Sequence, residues 1–348
     1  MSFTSRQVGM APTGEKIVEY TYTNGKGASY SVLNFGGTLN RLKVPDREGK
    51  LRDVVLGFDD LNRYLEGKAG CAGSLIGRVG NRIEGAAFTL EGVEYHLGKN
   101  DGNHNIHGGP VGFGLRFWDV ETAEPDALIC RLISEDGDQN FPGRLEVTVT
   151  YTLSEENCLN IHYRAFTDKT TLCNLTNHAY FNLNGSGTIH DHLLQINASH
   201  VAEADEELIL SGRLIPVQDV VYDFSSPTRI GDVLSRMDED PVMAHAGGVD
   251  FNYCAGRDRE TKLIATLYSP ESGIELKVIT DQPGVQCYTG QCFSGMGKDG
   301  IPYQPYCGVA LETQHYPDSI HHPDFPSTVL RPQDVYDTFT AFCFDVRS

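Results

Sequence analysis

Apolar and polar residues alternate with a period of two along most of this chain, the mark of strands with one face turned inward. Residues 16–23 (K-I-V-E-Y-T-Y-T) alternate up to Asn24-Gly25, a tight-turn pair, and 28–33 resumes the pattern. Residues 86–97 read as a hairpin folded across Glu91-Gly92. Longer alternating runs span 127–134, 145–153 and 159–166, and the last third adds 263–268, 274–280, 285–288 and 309–313. The 37 glycines and 16 prolines are spread throughout, as a chain of many turns requires. Helical patterning is confined to 230–237 and a short turn at 60–66, and 205–248 is an irregular acidic excursion between strands. No fixed-period repeat or low-complexity linker divides the sequence. The expected fold is all-β: residues 1–348 as a single domain, a large β-sandwich with few short helices.

Two of these stretches carry unusual polar faces. In 308–314 (G-V-A-L-E-T-Q), Val309 and Leu311 form one apolar face, and Gly308, Ala310 and Glu312 form the other. Small neighbours leave room for a ligand against the carboxylate; the alternative is a glutamate facing water. Residues 170–185 (T-T-L-C-N-L-T-N-H-A-Y-F-N-L-N-G), read as one strand, turn Cys173, Leu175, Ala179, Phe181 and Leu183 inward. Asn174, Thr176, His178, Tyr180 and Asn182 then make a wholly polar row, whose residue types suit hydrogen bonding to a ligand better than a solvated strand.

Glycine-rich loops add candidates. N-H-N-I-H-G-G-P-V-G-F-G (103–114) presents His104 and His107 where glycines permit close approach. G-R-V-G-N-R-I (77–83) sets Arg78 and Arg82 beside Asn81; an arginine fork suits vicinal hydroxyls, or ties down a loop. Asp250 follows two glycines in G-G-V-D-F-N-Y, and Gln286 sits at a strand edge in 282–290. S-G-M-G-K-D-G (294–300) lacks the Ser or Thr that a phosphate loop places after its lysine, and reads as a plain loop.

Composition narrows the ligands. Lys and Arg total 28 against 47 Asp and Glu, a net charge of −19, so nucleic acid and anionic membranes are poor partners and a neutral small molecule is a better one. The 9 cysteines include no C-x-x-C pair, and several, such as Cys130, sit within apolar strands. The first residues lack the apolar core of a signal peptide, and no stretch is long enough for a bilayer. A reduced, cytoplasmic protein is expected, with the sequons at Asn174, Asn184 and Asn197 unmodified. His104, His107 and the pair His321-His322 have near-ligand spacing, but no Cys or carboxylate completes a recognisable pattern around them, and no metal is expected.

Taken in order, G-R-V-G-N-R-I, N-H-N-I-H-G-G, D-G-D-Q-N-F-P-G (136–143), T-N-H-A-Y-F-N-L, G-V-D-F-N, V-Q-C-Y-T-G and A-L-E-T-Q-H-Y-P-D-S resemble the aldose 1-epimerase (galactose mutarotase) family. The resemblance covers essentially the whole chain. It implies a β-sandwich with the sugar in an open cleft, and interconversion of the α and β anomers of free hexoses such as galactose and glucose, with no cofactor or metal. By motif match Glu312 corresponds to the general base and His178 to the general acid. Asn81, Arg82, His107, Tyr180, Asp250 and Gln286 fall on sugar-binding positions, His107 near the ring oxygen. A carboxylate beside an imidazole favours charge on both, so an ionised Glu312 and a protonated His178 are expected.

Departures from the family pattern at Gly114, Val249, Asn252 and Gln291-Cys292-Phe293 fall around the pocket rim; they bear on sugar preference and spare the proton-transfer groups. A hexose-6-phosphate epimerase would need a basic cluster, for which Arg78 and Arg82 are the candidates. A non-catalytic sugar-binding protein would keep the cleft without turnover, and a glycoside hydrolase would pair Asp250 with Glu312. Monomer and homodimer are both compatible with these residues.

Overall fold

Alternation becomes burial where the longest runs pair. In the computed structural model, which describes residues 2–123 and 125–347, strands Leu145–Leu153 and Cys158–Thr167 bury every second side chain. They lie in a nine-stranded antiparallel sheet, ordered Asp119–Ala123, Ala127–Ser134, Leu145–Leu153, Cys158–Thr167, Tyr336–Val346, Ile274–Thr280, Lys262–Tyr268, Leu193–Ile196 and Thr228–Arg229. A six-stranded sheet runs Tyr180–Phe181, Val309–Gln314, Gly284–Tyr288, Asp250–Cys254, His200–Ala204 and Leu210–Pro216. The N-terminal part forms a five-stranded meander from Ser2–Met10 to Leu51–Asp53.

One continuous core joins the three sheets. It takes Val149, Ile161 and Phe342 from the large sheet, Phe251, Val285 and Leu311 from the six-stranded one, and Tyr30, Leu42 and Val44 from the meander. Burying each such side chain contributes about 1.5–3 kcal/mol. The Phe181 and Phe342 rings meet at 4.8 Å, and the Thr313 and Thr340 hydroxyls hydrogen-bond across the same layer. The Tyr30 hydroxyl donates to the Tyr151 carbonyl at 3.1 Å, tying the meander to the large sheet. This all-β, sheet-on-sheet architecture is the one that the alternation predicts.

The expected runs and the hairpin over Ala87–Leu90 and Val93–His96 form as read. Helix is scarce, but the helix expected at 230–237 stops at Ile230–Leu234 and is followed by a 3-10 turn at Met237–Glu239. The excursion at 205–248 is less irregular than its composition suggests. It holds the edge strand Leu210–Pro216, whose half-exposed side chains blur the alternation, and a helix Pro241–Ala246 capped by the Asp240 side chain.

One reading needs correction. Residues 170–185 are not one strand but three short pieces, each bound to a different partner: Thr171–Leu172 to Val329–Leu330, Thr176–Asn177 to Leu75–Ile76, and Tyr180–Phe181 to Val309–Gln314. Its polar row is wholly buried, because both faces of this path are covered. Cys158 and Cys343 are far apart in sequence, and the antiparallel register sets them directly opposite. The other cysteines are free thiols. Of the two roles left open for Arg78, the structure shows the one that ties down a loop. Its guanidinium is buried and donates to the carbonyls of Ser134, Glu135, Pro142 and Gly143 and to the hydroxyls of Ser134 and Thr171, at 2.7–3.2 Å.

Removing that fork leaves buried carbonyls with no donor, a penalty that hydrophobic replacement does not relieve. Arg78→Met should lower unfolding stability by roughly 3 kcal/mol or more, read from urea denaturation. A loss under about 1 kcal/mol would mean that the loop does not depend on it.

Candidate active site

Directly opposed residues of an antiparallel ladder share a face, as do residues two apart on one strand. In the six-stranded sheet Glu312 pairs with Gln286, which pairs with Asn252. The neighbouring row is Asp250, Tyr288, Ala310 and Tyr180. These rows lie on one face; the alternate positions Phe251, Val285, Cys287, Val309 and Leu311 enter the core. Ala310 is small because Tyr180 and Tyr288 stand on either side of it, their rings 5.9 Å apart. Gly308 likewise faces Leu56 and Tyr180, so these two small residues make room for tyrosine packing rather than forming a bare floor under a ligand.

His178 reaches this face from the broken polar run. Its backbone N–H donates to Ser74 O at 3.0 Å and its carbonyl accepts from Gly73, just before the chain joins the sheet at Tyr180. Its Nε2 lies 3.4 Å from Oε1 of Glu312, and both side chains are buried. The Tyr180 ring packs against the imidazole at 4.8 Å and is held by its hydroxyl on the Gly70 carbonyl.

Two loops close the group. Strand Arg82–Ile83 pairs with Asn105–Ile106, which brings Asn81 to His107. The Asn81 N–H donates to Nδ1 of His107 at 3.2 Å, and the His107 N–H returns to the Asn81 carbonyl at 3.1 Å. That fixes Nδ1 as an acceptor and leaves Nε2 to carry the proton of the neutral ring. Both residues sit in left-handed backbone, φ 62° and 53°, a strain found where surrounding contacts impose a functional geometry. The His107 and His178 rings are 5.4 Å apart. Arg82 donates to Asp101 at 2.7 Å, and Gln286 donates to Asp250 at 2.7 Å. A cleft of about 420 Å³ opens alongside, lined in part by His107, Cys71, Ile106, Pro110 and Leu115, a size suited to a small ligand.

The sequence model of the aldose 1-epimerase family matches residues 18–343. The chain belongs to the aldose 1-epimerase family. It is 40% identical to the galactose mutarotase of Mus musculus over 99% of each chain. It is 34% identical to the aldose 1-epimerase of Escherichia coli (strain K12), over 96% of this chain and 97% of that one. Among solved structures, an aldose epimerase homologue from C. elegans superposes with a TM-score of 0.86 at 32% identity, covering 94% of this chain and 98% of that one. A galactose 1-epimerase from Lactobacillus acidophilus NCFM gives 0.87 at 25% identity, covering 100% and 99%.

All eight site residues singled out in this epimerase's sequence are brought together: Glu312, His178, His107, Asn81, Arg82, Tyr180, Asp250 and Gln286. Asp101, which holds Arg82, and Cys71, whose thiol feels the Glu312 charge, were missed; both lie in turns where periodicity carries no signal. Tyr288, two strands from Tyr180 in the same sheet, and Phe293 were missed as its neighbours because packing between segments far apart in sequence leaves no local pattern. His107, His178 and Glu312 each offer a ligand atom within 4.8 Å of the others, so the same donor set is able to hold a metal ion.

The expected charge state is not what burial favours. Desolvation raises the Glu312 pKa well above the usual carboxylate value; the Asp250 charge adds to this and Arg82 opposes it. Burial pushes His178 down to about 4. His107 is lowered well below its ordinary value by burial, His178 and Arg82. Asp250 is raised, again chiefly by burial. Burial of the pair therefore disfavours the charged form of each, the carboxylate as well as the imidazolium. Histidine NMR across pH should find the His178 ring neutral at pH 7 and protonating only near 4. An ordinary titration near 6.5 would show that burial does not control the pair.

Proposed function

We propose that this protein is an aldose 1-epimerase that interconverts the α and β anomers of free hexoses such as galactose and glucose. The observation that carries the reading is a buried carboxylate and imidazole 3.4 Å apart, on a face ringed by hydroxyl-binding groups. Ring opening takes the proton from the anomeric hydroxyl and delivers one to the ring oxygen; the bond from C1 to that oxygen breaks as the carbonyl forms. The two oxygens sit on one carbon, so one base and one acid at this separation reach both. Rotation about the C1–C2 bond and closure onto the other face, with the proton transfers reversed, gives the other anomer.

Glu312 is the proposed base and His178 the proposed acid. Burial strengthens both roles: a raised carboxylate pKa makes a stronger base and a lowered imidazolium pKa a stronger acid. Opening converts the ionised pair to a neutral one, the direction that burial of both groups favours. Arg82, Asn81, Asp250, Gln286 and Tyr180 are the proposed hydroxyl contacts, with His107 beside the ring oxygen. The shared core supports one domain over the whole chain. No helix among the described residues is long and apolar enough to cross a membrane, and the cytoplasm is the proposed location. Against a phosphorylated substrate, Arg78 is committed to carbonyls and Arg82 to Asp101, so neither arginine is free to hold a phosphate.

Polarimetry of freshly dissolved α-D-galactose and α-D-glucose should show accelerated mutarotation, weaker for glucose 6-phosphate. Glu312→Gln should slow it roughly 10²- to 10⁴-fold. Acceleration of glucose 6-phosphate alone, or an unaffected Glu312→Gln variant, would sink this reading.

A further inference from the structure

The pair His321-His322, unused by the sugar chemistry, lies beside two carboxylates: Asp318, three residues before His321, and Glu84, which sequence spacing does not reveal. Asp318 is 3% exposed and sits in the turn after strand Val309–Gln314. Its Oδ1 accepts the backbone N–H of Glu84 at 3.1 Å and meets Nδ1 of His321 at 2.7 Å. Its Oδ2 is buried with no hydrogen-bond partner among the described residues. Nε2 of His322 stands 3.7 Å from that oxygen but is engaged by the Leu210 carbonyl at 3.0 Å. One ligand atom each from Glu84, Asp318 and His321 lies within 4.8 Å of the others; Asp318 is buried and the other two are exposed.

The His321 ring and Asp318 Oδ1 share a hydrogen bond, and a divalent cation bound by both groups would take the place of the proton between them. The unpartnered Oδ2 offers such a cation a ready ligand, and the exposed Glu84 carboxylate is free to turn onto it.

We propose that Glu84, Asp318 and His321 form a divalent transition-metal site outside the sugar cleft, one imidazole and two carboxylates, with zinc the fitting ion and water in the open position. Calcium and magnesium fit less well, since they call for a fuller set of oxygen ligands. Glu84 directly follows strand Arg82–Ile83, and Asp318 follows the strand that carries Glu312. The ion would clamp these two segments together behind the site, as a structural ion and not a reactant.

Because His107, His178 and Glu312 also offer a donor set, the test removes that set first. Zinc chloride is titrated by calorimetry into the full-length His178→Asn protein, then into the same protein carrying Glu84→Gln or His321→Asn, with thermal unfolding followed at each step. The expected result is one saturable zinc in His178→Asn with a raised melting temperature, and roughly tenfold or greater weakening by either second substitution. Glu84 is exposed, so its replacement leaves the fold intact and keeps the result readable even if His321→Asn destabilises the turn. No saturable zinc in His178→Asn, or an affinity indifferent to Glu84→Gln, overturns the proposal.

Discussion

The strand register of the six-stranded sheet is the constraint on which the rest depends. With Glu312 opposite Gln286 and Gln286 opposite Asn252, one face of three strands becomes a polar surface backed by an apolar core. A slip of one residue would carry Glu312 into the core and Leu311 onto the polar face. The apolar alternate positions resist that slip, so hydrophobic packing on one side of the sheet fixes the chemistry on the other. Ala310 serves the same end, since anything larger would separate Tyr180 from Tyr288 and move the ring that His178 rests against.

Burial also decides how protons sit at the site. A carboxylate and an imidazole in water would take opposite charges when brought together. Here neither is solvated, and desolvation raises the carboxyl pKa and lowers that of the imidazolium. A neutral pair is also the proton arrangement that ring opening produces. A site that disfavours charge thus lowers the uphill part of the proposed reaction. The polar groups from the neighbouring strands and loops supply hydrogen bonds where the sugar's hydroxyls are expected.

The sequence disclosed the fold where strands are amphipathic and the site where motifs are contiguous. Leu145–Leu153 and Cys158–Thr167 alternate cleanly because one face is more exposed, and their boundaries were legible to within a residue or two. The run around His178 looked like one strand because its residues alternate, yet both faces are covered and the chain turns between partners; alternation alone carries no record of that. Leu210–Pro216 escaped notice for the opposite reason, being an edge strand with little burial to pattern. Arg78 and Arg82 share one motif and differ only in what folds over them, carbonyls from 134–143 in one case and Asp101 in the other. Pairings across long separations, Cys158 with Cys343 and Glu84 with Asp318, emerge only once the sheets have formed.

Whether Glu312 and His178 act as one proton-transfer unit is tested most directly by a double-substitution cycle on the mutarotation rate. Glu312→Gln, His178→Gln and the combined variant are compared with the unaltered protein at one pH. Groups that depend on each other should give strongly non-additive losses, with the combined variant within about tenfold of the slower single one. Losses that multiply, leaving the combined variant slower by the product of both, would mean that the two groups act independently and would contradict their joint action as base and acid.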